Sequence, residues 1–302
     1  MRRSAVIGIA AGAAAVIAVG VTWWLVAQAP NAEDTAEAYL RALSEGDADA
    51  VTALLREVPA ELPRAAEAFA GADSYLDDYT FTLTEQTPDL VAVRAEVELG
   101  GEEAVVRFLL GEEGGRWLVT DVYAASLEAT TTLGDAVLVG GVLVPVATAV
   151  PLLPAVYTVA PAPAEVLDGG VRVVVANDVP VRVEVDASVS PEATALAQAQ
   201  LDSYLAGCAV AASSAPENCG IRVPWAVDLA SLDAITFRID RSPALALSAD
   251  AQTFDATGGQ IVATAQGTTR EGAARTFTYR ADDWAVRGSV RFAGDEMILA
   301  VR

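Results

Sequence analysis

Apolar residues recur at helical spacing soon after residue 30. The first stripe consists of Ala36, Tyr39, Leu40 and Leu43. Asn31 precedes it as a capping residue and Gly46 follows it, so a helix is predicted between them. Asp47 is placed to cap a second helix, whose stripe consists of Val51, Leu54, Leu55 and Val58. A third short helix is expected around residues 65–70.

Alternation with a period of two replaces the helical spacing after residue 78. Apolar and polar residues alternate over 79–83 and 91–99, and strand-like runs follow at 105–110 and 117–123. Glycine-rich turns separate these runs. Helices followed by an antiparallel meander predict an α+β domain.

The uncharged stretch 136–160 allows two interpretations. Its length would suffice for a second membrane span. Three prolines within it would each interrupt a helix, and its many valines favour strands. We therefore expect short strands at 137–139, 142–150 and 156–159. Together with strands at 171–175 and 181–185, they would form a small β-module over residues 130–188.

The last third of the chain repeats the order of helix and strands. Ser190 is placed to cap a helix with Pro191 in its first turn, and the apolar stripe consists of Leu201, Tyr204, Leu205 and Cys208. The strands are expected at 235–239, 244–247, 261–265, 277–279, 284–290 and 297–301. Asp282 and Asp283 are expected in a hairpin turn between two of them.

The first 30 residues have the pattern of a membrane anchor. Residues 5–29 carry no charge, and Arg2 and Arg3 precede them. A helix of this length reaches roughly 37 Å, and a bilayer core is about 30 Å thick. Trp23 and Trp24 fall near its far end, where tryptophan prefers the membrane interface. We predict a single transmembrane helix, with the N-terminus cytoplasmic and the rest extracytoplasmic.

A cleavable signal peptide is the alternative interpretation of the same segment. Ala27-Gln28-Ala29 fits the small-x-small cleavage pattern. The apolar stretch is longer than a usual signal core, and Pro30 would directly follow the cut. An uncleaved anchor is therefore favoured, and both interpretations place the folded part outside the cytoplasm.

Composition excludes several classes of chemistry. The chain has 41 acidic and 19 basic residues, for a net charge of −22, and so would repel nucleic acid. It contains no His, the commonest general base and metal ligand. It also contains no Lys, which excludes Schiff-base chemistry and a phosphate-loop lysine.

Cys208 and Cys219 are the two cysteines of the chain. Two cysteines close in sequence favour one disulfide in an oxidising compartment. Closing so short a loop would stabilise the fold by about 2.8 kcal/mol in the chain-entropy model. Two buried free thiols and a metal-binding pair are the alternatives.

The helix–Gly46–Asp47–helix opening, followed by a closing strand from Trp117, resembles the nuclear transport factor 2-like superfamily over about residues 31–125. Its members are cone-shaped domains of helices wrapped by a curved sheet, and many are exported bacterial proteins. In those that are enzymes, an acid and a tyrosine lie inside the cone. Tyr39 with Asp77 or Asp78 would be the corresponding candidates here. Recurrent Tyr-Leu and Trp positions near the C-terminus indicate a second domain of similar or cystatin-like shape.

Other candidate sites have simpler structural interpretations. Asp47 and Asp49 lack the glycine and glutamate of a calcium loop, so helix capping is expected there. Asp250, Asp255 and the pair Glu112-Glu113 are expected in turns. No Gly-x-Ser-x-Gly, Ser-x-x-Lys or phosphate-loop motif is present. No catalytic, cofactor-binding or metal-binding residue is therefore predicted.

These observations predict an α+β protein of the cell envelope with a non-enzymatic binding or scaffolding role. It would contact the membrane through residues 5–29 and bind another envelope protein or wall component. The second hypothesis is small-molecule binding, or isomerase- or hydrolase-like activity, inside a cone. The third is an accessory subunit of a wall-building or export machine. The expected parts are an anchor (1–30), a cone-like domain (31–128), the β-module (130–188) and a second α+β domain with one disulfide (189–302).

Overall fold

The computed structural model describes residues 31–122, 125–176, 180–212, 214 and 216–302. The chain is a mixed helix-and-sheet fold that includes a curled antiparallel half-barrel sheet. The predicted anchor, with Arg2, Arg3, Trp23 and Trp24, lies outside the described residues. Within the described ranges, no helix is both long enough and apolar enough to cross a membrane.

The helices within these ranges are α1 (Ala32–Glu45), α2 (Ala48–Ala53), α3 (Leu62–Ala70) and α4 (Ala193–Cys208), with a short 3-10 helix at Trp225–Val227. The strands of the first half are β1 (Leu76–Thr87), β2 (Leu90–Leu99), β3 (Glu102–Glu113), β4 (Arg116–Val122), β5 (Ala125–Thr131), β6 (Ala136–Val139), β7 (Val142–Pro145), β8 (Ala149–Leu152) and β9 (Ala155–Pro161). Those of the second half are β10 (Leu167–Asp168), β11 (Val171–Val175), β12 (Val181–Val185), β13 (Ser188–Val189), β14 (Ser231–Arg241), β15 (Ala244–Leu247), β16 (Thr253–Thr268), β17 (Ala274–Ala293) and β18 (Glu296–Val301).

Helix α1 begins and ends at the predicted residues. The Asn31 side chain accepts a hydrogen bond from Asp34 N at 2.9 Å, and the Asp34 carboxylate accepts one from Asn31 N at 3.1 Å. This reciprocal pair satisfies two backbone donors at the helix start. Gly46 ends the helix in the left-handed region at φ 69°.

Asp47 caps α2 by accepting a hydrogen bond from Ala50 N at 2.8 Å, which confirms the capping prediction. Helix α2 is shorter than predicted, and Val58 is exposed.

Strands β1 to β4 form an antiparallel sheet in sequence order. Alternate residues of β2 are buried, as its period of two predicts. Helix α1 packs against this sheet, and the ring of Tyr39 lies 4.7 Å from that of Phe108. Both side chains are fully buried. Large side chains therefore fill the space between the helices and the sheet.

The uncharged stretch 136–160 forms strands, as predicted, in two small sheets. One sheet consists of β6, β7, β9 and β11 in the order β11-β9-β6-β7. The other consists of β5, β8 and β12 in the order β12-β5-β8. The single strand predicted over 142–150 is wrong, because residues 146–148 separate β7 from β8. Ala147 has φ 55° there, which turns the chain between the two sheets. Strand β12 runs parallel to β5.

The last sheet has the order β14-β16-β17-β18, with β15 paired to the first part of β16. Strand β17 is 20 residues long and pairs with β16 from Ala274 to Ser289. The prediction of two strands separated by a hairpin turn at Asp282 and Asp283 is therefore wrong. Both residues are exposed, as expected of acids, but they lie inside a continuous strand.

Helix α4 begins later than predicted. Its N-cap is Glu192, without a side-chain cap, so the predicted cap at Ser190 is wrong. Ser190 is buried, and its hydroxyl donates to the Glu165 carbonyl oxygen at 3.2 Å. That hydrogen bond holds the Ser190 side chain against residue 165, so it does not cap the helix. Tyr204, predicted on the buried stripe, is 42% exposed, and its hydroxyl donates to the Asn218 carbonyl oxygen.

Buried apolar residues form two clusters. The first contains members from Ala36 to Val185 and therefore joins the helices, the first sheet and the two small sheets. The second contains members from Val166 to Met297 and lies around α4 and the last sheet. The predicted domain boundaries near residues 128–130 and 188 stay predictions.

The filled first core gives a testable expectation for Tyr39. Its hydroxyl oxygen is buried and has no hydrogen-bond partner among the described residues. A buried polar group without a partner costs about 1–3 kcal/mol. Tyr39→Phe should therefore keep or raise the free energy of unfolding, by about 1 kcal/mol, whereas Phe108→Ala should lower it by about 3–5 kcal/mol. Urea unfolding measures both, and a large loss in Tyr39→Phe would show that the hydroxyl has a needed partner.

Candidate functional site

The predicted disulfide is present and joins helix α4 to the segment that follows it. Cys208 is the last residue of α4, and it is bonded to Cys219 with 5.9 Å between the Cα atoms. Both residues are buried. The bond fixes one end of residues 219–228, which we call the roof segment because they lie over strands β16 and β17.

The side chain of Trp284 holds the same end of the roof segment. Its indole N–H donates to the Cys219 carbonyl oxygen at 2.8 Å, and the ring is 3% exposed. Gly220 follows in the left-handed region at φ 62°, with its Cα close to the Ala285 carbonyl oxygen. A Cβ at Gly220 would collide with that oxygen, so only glycine permits this approach. The roof segment therefore starts in direct contact with β17.

Tyr279 holds the other end of the roof segment. Its hydroxyl donates to an Asp228 carboxylate oxygen at 2.8 Å. Partial burial and this hydrogen bond to a carboxylate raise the pKa of Tyr279 to about 12. The phenol therefore stays protonated, and able to donate, throughout the neutral range.

A β-bulge allows Tyr279 and Trp284 to face the same side of the sheet. They are five residues apart, and in a regular strand an odd separation places side chains on opposite faces. Ala281 pairs with Ile261 and Trp284 with Gly259, so β17 has one more residue than β16 between these pairs. Before the bulge the partly buried residues have odd numbers, and after it the buried residues have even numbers.

Between its two attached ends, the roof segment leaves a groove over β16 and β17, which we call the edge groove. Its volume is about 600 Å³. Ile221 and Val223 line the roof side, and Ile261, Ala281 and Trp284 line the sheet side. Apolar walls of this size are typical of binding sites.

The charge of the edge groove differs from that of the chain. Its lining includes Arg222, Arg280 and one acid, Asp283, in a chain of net charge −22. Arg280 is held by Asp240 at 2.9 Å and by Asp282 at 2.7 Å. Arg222 is exposed and forms no ion pair with any described residue. A second surface depression, across β1, β2 and β3, has four acids in its lining: Asp78, Glu96, Glu98 and Glu103.

The residues suggested by the family resemblance do not form a site. Tyr39 is fully buried, whereas Asp77 and Asp78 are exposed on β1. Burial raises the pKa of Tyr39 above its ordinary value. Asp250 lies in a turn, as predicted, where it accepts hydrogen bonds from Ser248 Oγ and Gln252 N. The predicted turn positions of Asp255, Glu112 and Glu113 are wrong, because Asp255 lies in β16 and the two glutamates end β3. The Glu112 carboxylate accepts a hydrogen bond from Gly115 N in the β3–β4 turn.

Comparisons and metal chemistry add no further assignment. Neither the family models nor the curated proteins include one that matches this chain. In the part of the chain that the structure describes, no group of three or more His, Cys, Asp or Glu side chains is placed to hold a metal ion. The edge groove is therefore the best-defined candidate site, and the kind of ligand it could bind has to be inferred from its geometry alone.

The bulge makes a prediction about deletions in β17. Deleting Asp283 alone leaves Tyr279 and Trp284 four residues apart. An even separation keeps both side chains on the same face of a regular strand, so the variant should fold. Deleting both Asp282 and Asp283 turns Trp284, Val286, Val290 and Phe292 to the solvent face. Each such side chain contributes about 1.5–3 kcal/mol by burial, and a domain has only about 5–15 kcal/mol.

Thermal unfolding followed by circular dichroism measures this difference. The single deletion should keep a cooperative transition, and the double deletion should lose it. Two equally stable variants would show that the acids lie in a dispensable turn rather than in a strand.

The raised pKa of Tyr279 gives a second prediction. Its folded pKa, about 12, lies above the ordinary value near 10. The stabilisation is therefore complete below about pH 10 and is lost as the pH rises through 12. Tyr279→Phe should be less stable than the native chain at about pH 8, and the difference should shrink at about pH 11.

No lysine titrates in this pH window, and the other tyrosines that do are the same in both chains and cancel in the difference. Urea unfolding at the two pH values measures the difference. Asp228→Asn is the control, since it keeps an acceptor without the charge and should lower the pKa of Tyr279. A stability difference that does not change with pH would contradict the assignment.

Proposed function

We propose that this protein is a membrane-anchored, extracytoplasmic binding protein, with the edge groove as its binding site. The observation that carries the proposal is the construction of the groove. A disulfide and the indole hydrogen bond of Trp284 hold one end of the roof segment, and the hydrogen bond between Tyr279 and Asp228 holds the other. Between these two ends, the groove separates the roof segment from β17. Such a preformed groove lowers the entropy that a ligand must overcome on binding.

Two features support an extracytoplasmic location. The disulfide holds the roof segment at Cys219, next to the groove, and disulfides persist in oxidising compartments outside the cytoplasm. The uncharged residues 5–29 behind Arg2 and Arg3 have the length and charge order of an anchor that keeps its N-terminus inside.

The order of elements supports a relationship to the nuclear transport factor 2-like superfamily for residues 31–122. Helices α1 to α3 precede a four-stranded antiparallel sheet; α1 packs against this sheet, and α3 packs against β7 and β8. Tyr39 and Phe108 fill the space that would be the cone's interior. This filling favours a binding or scaffolding role over chemistry inside the cone.

Site-specific photo-crosslinking in intact cells tests the proposal. A photoreactive residue at Val223, in the groove wall, should give a discrete crosslinked product. Val58 is the matched control, because it is 55% exposed and lies away from the groove. Protease added to intact cells should digest the Val223 product.

The outcomes separate the two parts of the proposal. Equal products from both positions, or none from Val223, would remove the groove as a binding site. A product that resists protease until the cells are lysed would place the groove in the cytoplasm and remove the location.

A further inference from the structure

Strand β17 has a free edge along the groove. On one side it pairs with β16 from Ala274 to Ser289, and on the other it pairs with β18 only from Gly288 to Ala293. Among the described residues, no strand pairs with residues 274–287 on this second side. The Arg287 carbonyl oxygen accepts a hydrogen bond from Arg302 N, so the free edge covers residues 274–286. Alternate backbone N–H and C=O groups of these residues face the space beside the strand.

The edge groove lies against this free edge. Its lining includes the β17 stretch 278–281 and residues 283–285, with the roof residues 220–224 opposite. The roof residues 220–224 belong to no helix or strand. The groove thus borders both the sheet face, through Ile261 of β16, and the residues of the free edge, with Ile221 and Val223 on its roof side.

We infer that the ligand of the edge groove is an extended acidic segment of another protein, which pairs with β17 as an added strand and places a carboxylate on Arg222. The inference rests on the proposed binding function. A polypeptide backbone is the ligand that matches a row of alternating donors and acceptors, and apolar walls select side chains at alternate positions.

Charge complementarity decides which polypeptide fits. Arg222 has no ion pair among the described residues, and a guanidinium binds a carboxylate through charge-assisted hydrogen bonds. A second copy of this chain is disfavoured, because two chains of net charge −22 repel each other.

The β1 edge provides an internal comparison. Strand β1 is also the outer strand of its sheet, but its exposed side chains include three acids, Asp77, Asp78 and Glu85. An acidic segment would meet like charges there. An acidic ligand should therefore distinguish the two free edges of the same molecule.

Hydrogen exchange of the full-length chain in detergent micelles tests the inference. The probe is a synthetic peptide of about nine residues, close to the upper end of ordinary strand length, with alternating Val and Thr and a central Glu. It should slow exchange at backbone amides within 277–285 by about tenfold or more, and it should leave residues 79–83 of β1 unchanged.

Matched peptides and variants identify the contacts. A peptide with N-methyl groups on alternate amides cannot pair and should not protect the edge. A peptide with Lys in place of Glu should bind about tenfold more weakly, as should the acidic peptide to Arg222→Gln. Asp283→Asn, the control in the same groove, should bind the acidic peptide at least as tightly as the native chain.

Each result bears on the inference. Unprotected β17 amides, or equal protection by the N-methylated peptide, would overturn strand addition. Equal binding of the Glu and Lys peptides, or unchanged binding to Arg222→Gln, would overturn the acidic ligand. A Val223 crosslink together with unprotected β17 amides would leave the binding function standing and remove only this inference.

Discussion

The one-residue bulge in β17 is the constraint on which the groove depends. It places Tyr279 and Trp284 on the same face, although their separation of five would place them on opposite faces of a regular strand. From that face each side chain holds one end of the roof segment. The same change of phase sends Val286, Val290 and Phe292 into the core beyond it. One irregularity therefore serves both the candidate site and the packing of the sheet.

The free edges of the sheets are the second feature of this fold that bears on function. Open antiparallel sheets expose unpaired backbone groups, and proteins shield them with charges, bulges or covering segments. Strand β1 carries the exposed acids Asp77, Asp78 and Glu85. Strand β17 has a bulge, the pair Asp282 and Asp283, and the roof segment. The roof covers that edge from a distance rather than pairing with it, so the edge is screened from general aggregation and stays open to one suitably shaped strand.

Local patterns predicted the elements better than the site. Capping by Asn31 and Asp47, the alternation in β2 and the cysteine pairing all follow from interactions between residues close in sequence. The bulge was missed because two adjacent aspartates between apolar runs look like a turn, and only pairing with β16 shows otherwise. The signal was present: inward residues change from odd to even numbers across Asp282 and Asp283. The groove itself depends on contacts 51 and 65 residues apart in sequence, which no local pattern contains.

The roof segment is held by discrete attachments rather than by continuous packing. From residue 209 to 229, the buried residues within the described part are Cys219 and Leu229. Burial of two side chains contributes only a few kcal/mol, about the cost of ordering a few residues. The disulfide and the hydrogen bonds from Trp284, Tyr279 and Arg270 must therefore supply the remaining restraint; the Arg270 guanidinium donates to the carbonyl oxygens of Ala226 and Val227. One of these attachments is a disulfide, a bond that oxidising compartments preserve, so the construction of the site supports the proposed extracytoplasmic location.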